Sequence, residues 1–136
     1  MDAITLSTIG RIRSPIRRPD EAPRQGDEGA PEAWIELQDG LAPATDGLEA
    51  GDTIVVLTWL HLADRHVLQV HPRDDEARPL TGVFATRSPD RPNPIGLHEV
   101  TILDVRATQL RVAGLEAVDG TPVLDIKPRL GPVTRR

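Results

Sequence analysis

The alternation of apolar and polar residues along this chain is typical of short β-strands. It is loose over residues 4–9 and regular over 33–37, and a continuous apolar run follows at 53–60. A continuous β-branched run of this length predicts a strand that is buried on both faces. Further patterns complete a set of seven predicted strands, at 83–86, 99–105, 109–112 and 123–126.

Turn signals separate these strands and leave little room for helix. Only residues 41–50 hint at a short helical turn, because Pro43 and Gly47 disfavour anything longer. Many short strands with almost no helix predict an all-β protein, either an antiparallel barrel or a sandwich. A doubly wound nucleotide-binding fold is not expected, because it needs long helices between strands and a Gly-rich loop after the first strand.

Length and composition limit the possible classes of protein. A chain of 136 residues is long enough for one domain with one core, and we take 1–136 as that domain. The absence of cysteine excludes disulfides, thiolate metal sites and a cysteine nucleophile. No apolar stretch approaches the roughly 20 residues of a membrane span and no secretory signal opens the chain, so we expect a cytoplasmic protein without a membrane partner.

Charge and irregular segments bear on possible partners. The net charge of −5 argues against a large basic face for nucleic acid. Basic residues nevertheless gather at 11–18 and 127–136, where a patch could hold a phosphate or an RNA loop, or could be an ordinary solvated surface. Two irregular stretches, 15–32 and 63–79, are predicted to be loops, and whether they order only on binding is left open.

A proline-rich run at 82–96 is the most informative segment of the chain. Its prolines fix φ and remove backbone donors, so it cannot continue a helix or form a central strand. It therefore predicts a rigid loop that holds Arg87, Arg91 and Asn93 at set angles, as binding loops between strands do. The alternative is a plain surface turn.

A second run, 118–128, places a turn before a short strand. Asp119-Gly120 is a turn dipeptide, and the alternation after it puts Asp125 and Lys127 on one face of a strand. Lys127 is the only lysine in the chain. A functional amine and a surface ion pair with Asp125 are both open readings.

Both runs, together with residues 9–15 and the segment Pro23-Arg24-Gln25-Gly26, resemble the TsaA-like family over about residues 4–130. Characterised members of that family are tRNA methyltransferases of a small β-barrel fold. They use S-adenosyl-L-methionine to methylate N6 of N6-threonylcarbamoyladenosine, next to the anticodon. The resemblance therefore implies a small closed antiparallel barrel of six to seven strands with at most short helical turns, and a homodimer that acts on tRNA.

The same resemblance implies a set of site residues. Arg87 would pair with the carboxylate of the cofactor, and Leu97 would be an apolar wall for its adenine. The implied cofactor contacts are Arg24, Gln25, Gly26, His61, Leu62, Arg87, Leu97, Asp119, Gly120, Thr121, Pro122 and Val123. Arg91, Asn93 and Lys127 would face the acceptor or its phosphates.

The sequence gives weaker signals for a catalytic base and for a metal site. A base is needed only if the acceptor nitrogen must lose a proton, and Asp119, Asp125 and Lys127 are the candidates for it. The alternative for either carboxylate is a structural role beside an arginine. His61, His66 and His71 recur every five residues, which suits one face of neither helix nor strand, so we expect no metal site.

The positions at which this chain departs from the family pattern bear on recognition of the acceptor more than on binding of the cofactor. Arg129 and Ile16 stand where aromatic residues are common, and the chain has one Phe, two Trp and no Tyr. Recognition of single-stranded RNA usually relies on aromatic stacking. His98 stands where the family often has serine, and we predict that it lies on the barrel surface.

Three alternatives to a tRNA methyltransferase follow. The first is a methyltransferase of a small non-tRNA acceptor, and the second is a non-catalytic module that binds the cofactor or RNA. The third, a metal-dependent enzyme that uses the histidines, is disfavoured by their spacing. In a dimer, Arg11, Arg13 or the Arg91 loop of one subunit would approach the cofactor of the other.

Overall fold

The computed structural model describes residues 1–22 and 30–131, and in these residues six antiparallel strands close into a barrel. The strands of the fold are β1 Gly10–Arg13, β2 Ala33–Leu37, β3 Thr53–Trp59, β4 Gln69–Val70, β5 Thr81–Gly82, β6 Ile95–Arg106, β7 Gln109–Ala113 and β8 Pro122–Pro128. The barrel strands follow one another in the order β1-β2-β7-β6-β3-β8, and β4 and β5 form a separate two-stranded sheet. The prediction of a small closed antiparallel barrel is confirmed.

The core lies inside the barrel and is built from every second residue of the strands. Its fully buried side chains include Ile12, Ile35, Ile102, Leu110 and Val123. Burying a large aliphatic side chain stabilises a fold by about 1.5–3 kcal/mol, so this interior is the main stabilising term.

The prediction that β3 is buried on both faces is wrong. Ile54, Val56 and Thr58 are buried inside the barrel, whereas the residues between them are half-buried on the outer face. A closed barrel has one interior face, so even a continuous apolar run alternates between the core and the outer surface.

The helical content consists of short 3₁₀ turns at Pro19–Glu21, Ala42–Thr45, Pro72–Asp74 and Val83–Ala85. The turn at Ala42–Thr45 falls within the predicted 41–50 segment. In the described part of the chain, no helix has the length and apolar character needed to cross a membrane.

Two predicted strands differ from the structure. Residues 4–9 are not a strand, because pairing with β2 and β8 begins only at Gly10 and the side chains of Ile4 and Leu6 are exposed. Residues 83–86 are not a strand either, since Val83–Ala85 forms a 3₁₀ turn directly after the two-residue strand β5.

Both ends of the barrel carry loops, but one end carries far more. The end of β3, the start of β6, the start of β8 and the segment after β1 all meet there, and the chain between β3 and β6 folds over them. Within the stretch 63–79, which was predicted to be irregular, the structure has β4 and the turn Pro72–Asp74. This end of the barrel holds the candidate site.

Candidate functional site

A cavity of about 720 Å³ opens at the loop-rich end of the barrel. Small-molecule sites usually have volumes of roughly 300–1,000 Å³. Its lining comes from the start of β6, from the segments 19–22 and 116–121, and from residues 60–63, 70–74 and 85–91. Six described segments that are distant in sequence are therefore brought together at this end by barrel closure.

Several of the predicted site residues meet in this cavity. They come from the end of β3, the proline-rich loop, the start of β6 and the turn before β8, and they are His61, Leu62, Arg87, Arg91, Leu97 and Thr121. The segment Arg24-Gln25-Gly26 lies outside the described residues. The others named from the sequence do not line the cavity: Asn93, Asp119, Gly120, Pro122, Val123, Asp125 and Lys127.

Arg87 is exposed at the cavity and is available to a ligand. Within residues 1–22 and 30–131 its guanidinium forms no ion pair and no hydrogen bond. A guanidinium has five N–H donors in a planar fork that matches a carboxylate or phosphate. Arg87 can therefore bind an anionic group without first breaking a contact.

Arg91, four residues later, is engaged by its own loop. Its Nη1 donates to the carbonyl oxygens of Thr86 at 3.1 Å and Ser88 at 3.0 Å, and its Nη2 donates to that of Val83 at 2.7 Å. These bonds hold the turn at Val83–Ala85 and the proline-rich loop as one unit. Arg91 still lines the cavity, and its implied contact with an acceptor stays a prediction.

Asn93 is held from outside the proline-rich loop by Arg65. The Arg65 Nη2 donates to Asn93 Oδ1 at 3.0 Å, and its Nε donates to the Pro92 carbonyl at 2.8 Å. The same guanidinium lies 5.1 Å from the ring centroid of Trp59 at the end of β3. Arg65 thus fastens the loop to the barrel, and no sequence pattern marked it.

Asp119 joins the turn before β8 to the segment after β1. Its Oδ1 accepts a hydrogen bond from the Ser14 amide at 2.9 Å, and its Oδ2 lies 3.5 Å from Arg17 Nη1. This is the arrangement of a structural carboxylate beside an arginine. A catalytic role for Asp119 stays a prediction.

Asp125 and Lys127 form an ion pair on the outside of the barrel, with 3.4 Å between Lys127 Nζ and Asp125 Oδ2. Lys127 pairs with Val55 at the end of the barrel away from the cavity. An exposed pair of this kind contributes little to stability. The acceptor and base roles of these two residues stay predictions.

His98 is the residue whose place was predicted wrongly. It is 4% exposed and lies inside the barrel at the floor of the cavity. Its Nε2 is 2.7 Å from Thr58 Oγ1 on β3, and its Nδ1 is 2.7 Å from Glu116 Oε1. The sequence did hold a signal, because His98 has the same parity on β6 as the core residues Val100 and Ile102.

The histidines do not come together as metal ligands in the described part of the chain. His71 Nδ1 is 2.8 Å from the Arg78 carbonyl, and no group of three or more His, Asp or Glu side chains there could hold a metal ion.

Comparisons with known proteins agree on one family. The family model of the tRNA-methyltransferase O N-terminal domain matches residues 11–132. A probable S-adenosyl-L-methionine-binding protein of Methanothermobacter thermautotrophicus is 47% identical over 125 residues, which are 92% of this chain and 89% of that protein. An S-adenosyl-L-methionine-binding protein of Archaeoglobus fulgidus is 44% identical over 90% of this chain and 86% of its own length.

Solved structures give the same answer for the fold. A crystal structure of TrmO from Pseudomonas aeruginosa superposes with a TM-score of 0.76 at 32% sequence identity and covers 95% of this chain. The present chain spans 57% of that solved chain, and so a little over half of its length.

Proposed function

This chain belongs to the family of the tRNA-methyltransferase O N-terminal domain, and on that premise we propose that it is an S-adenosyl-L-methionine-dependent methyltransferase. We further propose that its acceptor is N6 of N6-threonylcarbamoyladenosine in tRNA. The observation that carries the proposal is the cavity at the loop-rich end of the barrel, where His61, Leu62 and Arg87 meet Leu97 and Thr121.

The residues at this cavity fit the cofactor in charge and in polarity. Arg87, whose guanidinium is engaged by none of the described residues, is available to the carboxylate of the cofactor. The exposed side chains of Leu62 and Leu97 offer apolar surface to its adenine. When bound, S-adenosyl-L-methionine supplies a methyl group carried on a positively charged sulfur. The protein's part is to hold cofactor and acceptor close together in a fixed orientation, which is a large share of catalysis in a two-substrate transfer.

The acceptor is the less supported half of the proposal. Arg91 lines the cavity and Asn93 belongs to the same loop, so an acceptor that enters beside the proline-rich loop would meet both. Lys127 is on the far part of β8 and would reach only a large acceptor such as tRNA, or one bound across a dimer. A smaller acceptor would be held by the loop alone.

We also propose that the protein is a cytoplasmic homodimer. Large apolar side chains stay exposed at the cavity or next to it. Leu62, Ile95 and Leu97 line it, and Phe84 directly precedes the lining residue Ala85. A single barrel leaves this apolar rim open to water, and a second subunit would cover it.

The first experiment is calorimetric titration of the protein with S-adenosyl-L-methionine in the presence of a chelator. We expect saturable binding, and we expect Arg87→Ala to weaken it by about 1.5–3 kcal/mol, because a hydrogen bond to a charged group is lost. Arg106→Ala is the matched control, since Arg106 pairs with Asp104 on the barrel surface and does not line the cavity.

Methylation of tRNA that carries N6-threonylcarbamoyladenosine without the N6-methyl group is then assayed with the same protein. Binding without methylation of any acceptor would favour the non-catalytic module. Unchanged affinity in the Arg87→Ala protein would remove that residue from the carboxylate contact. Absence of binding by the wild-type protein would contradict the cofactor assignment.

A further inference from the structure

We propose that Glu116 is the group that accepts the proton from the methyl acceptor, and that His98 positions it. The inference rests on the proposed methyltransferase function and assigns a role to residues outside the cofactor contacts named above. It starts from a buried polar network, Thr58–His98–Glu116, at the floor of the cavity.

The network is built from three separate segments. Thr58 is on β3, and His98 is on the neighbouring strand β6, two residues after Gly96, which pairs with Thr58. Glu116 follows β7. Thr58 is fully buried and His98 nearly so, whereas the Glu116 side chain is 13% exposed and lines the cavity. The exposed end of the network is therefore the carboxylate, and that end faces the ligand space.

The hydrogen bonds of the network determine which of its atoms is left to accept a proton. An ionised carboxylate only accepts hydrogen bonds, so Nδ1 of His98 is the donor to Glu116 Oε1. Nε2 of this neutral imidazole carries no proton, so it accepts a hydrogen bond from the Thr58 hydroxyl. Oε2 of Glu116 has no hydrogen-bond partner in residues 1–22 and 30–131, and so it remains for a ligand.

The other carboxylates at the cavity are less suited to this task. Asp90 Oδ1 accepts the Asp64 amide at 2.8 Å, and Asp20 is largely exposed beside Arg18. Asp74 lines the cavity from the outer loop and is itself engaged. Glu116 alone among these four is both nearly enclosed and held in place by a buried side chain.

Among residues 1–22 and 30–131, the remaining charged or titratable groups of the cavity loops are basic. They are His61, His71, Arg73, Arg87 and Arg91, and all lie in the chain between β3 and β6. The Glu116 carboxylate therefore shares the ligand space with positive charge.

The proposed acceptor makes such a base useful. N6 of threonylcarbamoyladenosine is bonded to a carbonyl group, which withdraws its lone pair, so the nitrogen is a weak nucleophile while it keeps its proton. As this nitrogen forms its bond to the methyl carbon, the carbon–sulfur bond breaks and that electron pair stays on sulfur. The N–H electron pair stays on nitrogen, and the proton passes to Oε2 of Glu116, which later releases it to water.

The test compares Glu116→Gln with the wild-type protein. Glutamine keeps the size and can still accept from His98, but it cannot take up a proton. We expect the single-turnover methylation rate to fall by about 10²–10⁴-fold, as for loss of a general base, with little change in the Kd for S-adenosyl-L-methionine. Glu99→Gln is the matched control, because Glu99 is on the outer face of β6 and pairs with Arg129.

The positioning role of His98 has a readout that needs no turnover. His98→Leu removes the donor to Glu116, so the carboxyl NMR signal of Glu116 in the free protein should shift at a fixed neutral pH. The single-turnover methylation rate should fall in parallel, with little change in the Kd for S-adenosyl-L-methionine. His98→Gln, which can still donate a hydrogen bond, should restore both.

Each contrary result overturns the inference. A wild-type rate in Glu116→Gln would remove the base, and lost cofactor binding in that variant would make Glu116 a cofactor contact instead. An unchanged Glu116 carboxyl signal and an unchanged rate in His98→Leu would refute the positioning role. If the wild-type protein itself binds no S-adenosyl-L-methionine or methylates no acceptor, the proposed function fails together with the role of Glu116. If the wild-type protein is active and only the variants depart from expectation, the role of Glu116 alone fails.

Discussion

Arg87 and Arg91 are four residues apart in one loop, and their surroundings differ completely. Arg91 donates to the carbonyls of Val83, Thr86 and Ser88, whereas Arg87 is engaged by none of the described residues. The prolines predicted that both side chains are held in a rigid loop. Which guanidinium supports the loop and which stays available was decided by the positions of three carbonyl oxygens that the sequence does not display.

The side chains around Gly96 likewise determine which residue can be accommodated at this position. It lies opposite Thr58 in the barrel wall, and a Cβ there would lie 2.6 Å from His98 Nε2 and in still closer contact with the Thr58 hydroxyl. Gly96→Ala should therefore lower the free energy of unfolding by about 1–3 kcal/mol, the usual cost of overpacking. Denaturant unfolding measures this loss.

Gly82→Ala is the control for that variant, because nothing lies within 4 Å of a Cβ at Gly82. Equal stability of the two variants would mean that Thr58 and His98 move aside freely. The buried network would then be less constrained than the described geometry indicates.

Among the elements, the 3₁₀ turn Pro19–Glu21 depends on one carboxylate. Glu21 Oε1 accepts the Arg17 amide at 2.9 Å and the Arg18 amide at 2.8 Å. These two backbone hydrogen bonds, Arg17 first, lower the pKa of Glu21 below its ordinary value, with smaller contributions from the charges of Arg18 and Arg17. The turn matters to the site because Pro19, Asp20 and Ala22 line the cavity.

Acid should loosen this turn. Since the pKa of Glu21 is lowered in the folded state, its stabilising effect is complete above the ordinary pKa of glutamate and is lost as pH falls through the lowered value. The amide NMR signals of Arg17 and Arg18 should therefore shift on titration from about pH 7 to about pH 3. Glu21→Gln should abolish that step.

Glu49→Gln is a suitable control, because Glu49 is exposed in a different loop, before β3. A titration step that survives in the Glu21→Gln protein would assign the acid sensitivity of this segment to another group.

For the whole molecule, barrel closure assembles the cavity and leaves apolar side chains around its mouth. Phe84 is 84% exposed in the turn after β5, and Ile95 and Leu97 are on the outer face of β6. Their exposure supports the proposal that a second subunit covers this side of the barrel.

Phe84→Glu should convert the proposed dimer to a monomer, because a charge would replace an apolar contact that is buried only in the dimer. The monomer should remain folded, since Phe84 contributes little to the core. Leu130→Glu is the matched control, as Leu130 is exposed at the opposite end of the barrel. Sedimentation equilibrium measures the outcome, and a dimer that survives Phe84→Glu would place the interface elsewhere.

Much of the fold follows from local patterns in the sequence. The regular alternation at Ala33–Leu37 and the turn at Asp119-Gly120 act over a few residues, and both appear in the structure as predicted. The strand pattern at 4–9 failed because a strand also needs a partner, and the backbone hydrogen bonds to Val123 and Gln38 reach back only to Ile9.

By itself, the sequence determined the all-β class, the rigid proline-rich loop and the likeness to one family, because these depend on residue types at short spacing. Only the tertiary structure decided that His98 is buried against Thr58 and Glu116, that Arg91 is a loop support, and that Lys127 is away from the cavity. The physical reason is barrel closure. Register and strand order across the closed sheet determine which side chains share an end and a face, and these are long-range properties that no short segment contains.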